Sequence, residues 1–156
     1  MAELSLESLR ALQMALQNEN DTVLIYQHML DRVKNGVTRA LLAKLIEEEI
    51  LHRERIQEKI RRNAQDLPAS PNEAELPERR SIMELELSNC TILELINLAI
   101  ENEKISRDFY QAQFQRATDQ EVQEIFQWLV DQESEHIQNL QLEYDAHQYY
   151  EEVGLE

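Results

Sequence analysis

Apolar positions along the chain fall into four stripes of helical spacing. In segment A, about Ser5 to Lys34, the positions Leu12, Leu16, Glu19, Val23, Tyr26 and Leu30 alternate by four and three residues. They therefore share one helix face, with a carboxylate inside it. Asn35-Gly36 is expected to break this helix, glycine taking the left-handed conformation that ends helices. Segment B, about Val37 to Arg62, carries Leu42, Leu45, Glu49, His52 and Ile56 on its stripe. Segment C opens near Thr91, where Thr91 and Glu94 have capping-box spacing, and aligns Ile96, Ile100, Glu103, Tyr110 and Phe114 before ending near Arg116. Thr118 and Glu121 repeat the capping signal and open segment D, whose stripe is Phe126, Leu129, Glu133, His136 and Leu140.

Segments C and D copy A and B. Glu49-Ile50-Leu51-His52 and Glu133-Ser134-Glu135-His136 each lie 30 residues after a glutamate, Glu19 or Glu103, and a tyrosine, Tyr26 or Tyr110, follows each upstream glutamate by seven. All four markers recur with a period of 84. Arg107, standing where the first half has Val23, breaks the copy. Between the halves, the stretch from Asn63 to Ser88 holds all three prolines, Pro68, Pro71 and Pro77, and reads as a long connection. The expectation is an all-α four-helix bundle in one domain. One helix pair spans about 5–64, the connection about 65–90 and the second pair about 91–150.

Composition agrees with long helices, since 156 residues contain only two glycines and three prolines, and 42% hydrophobic residues suffice for a core. A net charge of −16 argues against unassisted nucleic-acid binding. No apolar run is long enough to span a bilayer, and Met1-Ala2-Glu3-Leu4-Ser5 lacks a signal peptide's basic and apolar regions, so a cytoplasmic protein is expected. The lone Cys90 excludes an intrachain disulfide and a Cys-x-x-Cys metal site, and reads as a structural thiol. Basic residues crowd the end of segment B, at Arg53, Arg55, Lys59, Arg61 and Arg62, where they suit a helix C-terminus, and none follows Arg116.

A carboxylate on an apolar seam loses its hydration, at a cost of several kcal/mol unless a cation or strong donors replace the water. Four seam glutamates, Glu19, Glu49, Glu103 and Glu133, demand positive charge that few seam lysines or arginines supply. With His52 and His136 they make the donor set of a four-helix di-metal site. The three-residue offset in Glu-x-x-His puts both side chains on one face, so the glutamate can bridge while the histidine caps one ion. Mostly hard oxygen donors favour two iron ions, with manganese or zinc as substitutes. Tyr26 and Tyr110 are candidate partners for ligand carboxylates, or plain core aromatics. Glu47, Glu48, Glu101 and Glu135 read as solvated, with Glu101 a fallback for Glu103. His28 and His147 read as surface or satisfied histidines, and Trp128 as packing. Tyr144, Tyr149 and Tyr150 fit an extension of segment D, a dimer contact or a tail.

Ala99-Ile100-Glu101-Asn102-Glu103-Lys104 with Phe109-Tyr110, and Glu133-Ser134-Glu135-His136, resemble motifs of the rubrerythrin branch of the ferritin-like superfamily. The resemblance covers both helix pairs but not the connection or the C-terminal end. It implies a ferritin-like bundle, usually a homodimer, with a di-iron centre that reduces hydrogen peroxide or dioxygen or oxidises Fe(II). By position it implies that Glu19, His52, Glu49 and Glu133 serve one metal, and that Glu103, His136 and the same two bridges serve the other. Two departures stand out. The rubredoxin domain of full rubrerythrins has no counterpart, so electrons are expected from an external rubredoxin-like protein or flavoprotein. Ser106 stands where the family's additional iron-ligating glutamate, associated with peroxide chemistry, is expected.

The leading expectation is thus a di-iron oxidoreductase for peroxide or dioxygen. The alternatives are a ferroxidase that handles iron and a non-catalytic metal-binding module. Elemental analysis after anaerobic Fe(II) loading and desalting should find about two irons per chain, lost in Glu49→Ala. No stoichiometric metal in the wild type would remove both iron-dependent readings.

Overall fold

A computed structural model describes residues 3–63, 70–77 and 87–155. Four α-helices lie among the described residues: α1 (Leu6–Arg32), α2 (Gly36–Asn63), α3 (Ile92–Arg116) and α4 (Gln120–Glu152). Two 3₁₀ turns, Glu73–Glu75 and Leu87–Asn89, lie in the described parts of the connection. Pro68 and most of the remaining connection lie outside the described residues.

Each helix start has a local cause. The Ser5 side chain accepts the Ser8 amide and begins α1. Thr91 and Glu94 form the expected capping box at α3, with reciprocal bonds of 3.1 and 2.8 Å. Two expectations are corrected. Gly36 is the first residue of α2 and has no positive φ; Asn35 makes the break by accepting the Val37 and Thr38 amides on its side chain at 3.0 and 3.1 Å. At α4 the N-cap is Asp119, not Thr118, and its carboxylate makes no cap bond. It accepts hydrogen bonds from the Ser8 and Ser5 hydroxyls instead, tying the start of α4 to the start of α1.

The helices pack as two hairpins, α1 on α2 and α3 on α4. Tyr26 of α1 reaches Glu103 and Ala99 of α3, while Tyr110 reaches Glu19 and Ala15, so α1 and α3 run antiparallel. It follows that α2 ends at the opposite end of the bundle from the start of α3. A 28-residue helix is about 42 Å long at about 1.5 Å per residue. The chain must cover much of that span before α3 begins, which is why the crossover is long.

Two apolar clusters fill the ends. One gathers Tyr26, Met29, Leu42, Leu45, Ile96, Ile100 and Leu140, closed by Leu87 from the connection. The other gathers Leu9, Leu12, Ile56, Ile60, Tyr110, Phe126 and Leu129. Between them lies a buried polar layer containing Asn18, Glu19, Thr22, Glu49, His52, Asn102, Glu103, Ser106, Glu133 and His136. The expected stripes of segments B and D are buried throughout, whereas Leu16, Leu30 and Phe114 are half-buried. Arg107 departs from the repeat: its mate Val23 is buried in an apolar cluster, whereas Arg107 is half-buried and pairs with Asp108 at 3.0 Å. The aromatic C-terminal end belongs to α4, where buried His147 meets Tyr150 edge-on. Among the described residues no helix is long and apolar enough to cross a membrane.

Leu129 is fully buried beside the polar layer. Leu129→Ala should lower the unfolding free energy by about 2–5 kcal/mol, read as a lower urea midpoint with an unchanged slope. A shift equivalent to under about 1 kcal/mol would show that this end carries little of the packing.

Candidate metal centre

Each helix contributes one glutamate to the polar layer, and α2 and α4 each add a histidine one turn further on. The structure brings all six expected residues together. Glu19, Glu49, Glu103 and Glu133 are at most 1% exposed, and His52 and His136 only 2% and 4%. Their donor atoms form two groups, Glu19, Glu49, His52 and Glu133, and Glu49, Glu103, Glu133 and His136, each within 4.8 Å. The groups share Glu49 and Glu133.

The shared residues divide their oxygens between the histidines. Glu49 sets Oε2 3.2 Å from His52 Nδ1 and Oε1 3.2 Å from His136 Nδ1. Glu133 sets Oε1 3.6 Å from His52 Nδ1 and Oε2 3.4 Å from His136 Nδ1. The terminal glutamates each face one imidazole, Glu19 at 3.7 Å from His52 and Glu103 at 3.4 Å from His136. The rings stack 14° from parallel, with centroids 5.3 Å apart. Among the described residues, both oxygens of Glu49, both of Glu133, Oε2 of Glu19 and Nδ1 of His52 are buried and make no directed hydrogen bond. Buried anionic oxygens in that condition are costly. Their convergence, with imidazole nitrogens turned to the same points, fits a pair of divalent cations.

Protons hold the metal-free layer together. Burial alone would depress the His52 pKa, but Glu133, Glu19 and Glu49 outweigh it and push it up to about 12. His136 is raised in the same way, by Glu103, Glu133 and Glu49. Glu49 and Glu133 are pushed well above the usual carboxylate range, first by burial and then by their anionic neighbours. Burial also acts to raise Glu103, but contacts with Glu133, His136 and Tyr26 bring it down to about 2. Glu19 is likewise lowered, with Glu49, His52 and Tyr110 overcoming burial. These shifts favour charged imidazoles, ionised Glu19 and Glu103, and the protonated forms of Glu49 and Glu133. Two divalent ions against four carboxylates and neutral imidazoles would leave the layer neutral.

The tyrosines brace across the repeat. Tyr26 donates to Glu103 Oε1 at 2.5 Å, and Tyr110 donates to Glu19 Oε1 at 2.7 Å. Each phenol thus serves the other half's glutamate. Burial, followed by nearby carboxylate charge, raises both phenol pKa values, so the tyrosines remain donors. Asn18 supports Tyr110, donating to its Oη at 2.9 Å and to Ser106 Oγ at 3.2 Å. Asn102 stands in the matching place and acts to lower the Tyr26 phenol pKa. These supports were missed in the sequence, although Asn18 and Asn102, and Thr22 and Ser106, are each 84 residues apart. Glu48 is a correction: it is half-buried rather than solvated, and its Oε2 lies 2.8 Å from His136 Nε2. Nothing in its spacing marked it, because the contact crosses from α2 to α4. Glu101, the fallback ligand, is exposed. Trp128 packs as expected, but against the edge of the His52 ring.

A family model described as Rubrerythrin matches residues 10–144. The chain belongs to the rubrerythrin family. A search of curated proteins gives no match. Among solved structures, a hypothetical protein from Pyrococcus furiosus has a similar fold, with a TM-score of 0.66 at 24% identity over 91% of this chain and 89% of that one. The rubrerythrin match ends within α4, before the helix's last turns.

A proton count tests the metal-free state. Metal binding requires neutral imidazoles and ionised carboxylates, so filling the layer near pH 7 should release protons from His52, His136, Glu49 and Glu133. Because the complex holds fewer protons than the free protein, affinity should rise with pH. Zinc added to weakly buffered metal-free protein should acidify the solution measurably. An unchanged pH with zinc bound would mean that the imidazoles were already neutral and all four glutamates already ionised.

Proposed function

We propose that the chain is a di-iron carboxylate oxidoreductase that reduces hydrogen peroxide or dioxygen with electrons from an external donor. The observation that carries this reading is the pair of overlapping donor groups sharing Glu49 and Glu133, with their oxygens buried and undirected. Two irons, or manganese or zinc in their place, suit that set, with Glu19 and His52 as terminal ligands of one ion and Glu103 and His136 of the other. Bound iron would supply the electrons, one from each Fe(II), that turn peroxide and two protons into two waters.

The protein's own part is positional and electrostatic. Tyr110 and Tyr26 hold one oxygen of Glu19 and of Glu103, restricting how each carboxylate can turn. Both phenols keep their protons and add no charge to the layer. The apolar clusters limit water access along the bundle axis. With no Cys-x-x-Cys pair in the chain, a separate rubredoxin-like protein or flavoprotein is the proposed donor. A homodimer belongs to the same proposal and draws on the family resemblance.

Ser106 favours a second reading. It is buried, accepts from Asn18, and puts a neutral hydroxyl where the family's additional glutamate is expected. A simpler centre of four glutamates and two histidines also suits a ferroxidase, in which Fe(II) is the substrate and dioxygen or peroxide the oxidant.

Stopped-flow mixing of the anaerobic Fe(II)-loaded protein with peroxide, and separately with air-saturated buffer, tests both readings. Ferric absorbance should rise within seconds for at least one oxidant and be lost in Glu133→Ala. Turnover of many irons per chain under excess Fe(II) would select the ferroxidase. No spectral change with either oxidant would remove catalysis.

A further inference from the structure

The repeat is symmetric where the two histidines face the polar layer and asymmetric behind them. His136 turns Nδ1 toward Glu49, Glu103 and Glu133, and its Nε2 meets Glu48 at 2.8 Å. One period later than Glu48 the chain has Gln132, which is half-buried. Behind His52 the setting differs in kind. The Trp128 indole packs edge-on to the imidazole, with centroids 5.1 Å apart, and the Arg55 guanidinium caps that indole 4.0 Å from its centroid. The repeat positions of Trp128 and Arg55 are Lys44 and Asn139, so this arrangement also occurs once.

We infer that Glu48 is a positioning residue that makes the two metal positions unequal, a divalent cation binding more tightly beside His136 than beside His52. The inference rests on the dinuclear reading. A carboxylate accepting the Nε2 proton holds the imidazole in the tautomer whose Nδ1 lone pair faces the layer, fixes the ring's rotation and makes Nδ1 a better donor. The Glu48 side chain is 34% exposed, so solvent screens part of its charge. The charge that remains makes Glu48 a stronger acceptor for the Nε2 proton than the amide oxygen of a glutamine, and the strength of that hydrogen bond is what holds the tautomer and the rotation. On the other side, the exposed Arg55 cation sits behind the indole that contacts His52, and what solvent leaves of its field opposes a second cation there. Both effects favour the His136 side.

Calorimetric titration of the metal-free protein with Zn(II) tests this in the wild type, Glu48→Gln and Gln132→Glu. The wild type should show two separable steps. Glu48→Gln should weaken the tighter step by about 10- to 100-fold and move the other less, while Gln132→Glu should strengthen the weaker step. In Co(II)-loaded protein, the hyperfine-shifted exchangeable N–H of His136 should be visible by NMR and exchange faster in Glu48→Gln, an effect that a loss of packing alone would not produce. Two equal steps in the wild type, or a Glu48→Gln titration superimposable on it, would overturn the inequality and leave the dinuclear centre intact. No bound zinc would overturn both. Should Glu48→Gln fail to fold, an unchanged weaker step in Gln132→Glu would overturn the inference instead.

Discussion

Four glutamates, with two histidines among them, occupy the middle of a helical bundle, and the rest of the structure answers to their charge. An isolated carboxylate cannot stay ionised in such a place. The layer eases that charge by sharing protons: the shifts favour the cationic forms of His52 and His136, the anionic forms of Glu19 and Glu103, and the protonated forms of Glu49 and Glu133. Two divalent cations would replace those protons and balance the four carboxylates. A layer compensated in this way can lie between two apolar clusters; one that carried several net charges would draw in water and loosen the helices around it.

Antiparallel packing of α1 against α3 turns the duplication into mutual support. Had the two helices run parallel, each tyrosine would lie beside its counterpart instead of beside the opposite glutamate. As built, the Glu19–Tyr110 and Tyr26–Glu103 bonds cross the bundle in both senses and join the hairpins at the level of the polar layer. Tyr26 and Tyr110 also belong to the two apolar clusters, so each ring packs in a cluster while its hydroxyl reaches the layer. Positioning of the carboxylates is thereby coupled to core packing.

Much of this was legible in the sequence because helical period and repeat period are both local regularities. The seam positions of segments B and D, the six donor residues and the Thr91 cap follow from counting along the chain. What was not legible depends on neighbours from another helix. Glu48 sits beside a seam glutamate and looks like any solvated acid until α4 brings His136 to it. The exchange of partners between the tyrosines requires the relative direction of α1 and α3, which spacing does not give. The misread breaks have a similar cause. Asn35 and Asp119 could each cap a helix or bond elsewhere, and only the packed chain shows Asn35 capping α2 while Asp119 turns to the serines at the start of α1. Arg107 marks a real difference between the halves, since its mate Val23 packs in an apolar cluster while Arg107 pairs with Asp108.

The paired hydroxyls Thr22 and Ser106 bear on how the layer divides its work. Both are buried and one repeat apart, so the position where the family resemblance implies a further glutamate is occupied in both halves by a neutral side chain. A fifth carboxylate there would need a further compensating proton or cation, and the layer could not remain neutral with the same two imidazoles and two divalent ions. Ser106 instead accepts from Asn18, which also supports the phenol bonded to Glu19, so the position serves the bracing of a terminal glutamate. On this argument the inner layer is kept symmetric by charge balance. Differences in charge around the histidines then fall on their outer faces, where Glu48 and Trp128 are half-buried, Arg55 is exposed and solvent moderates the cost of an uneven charge.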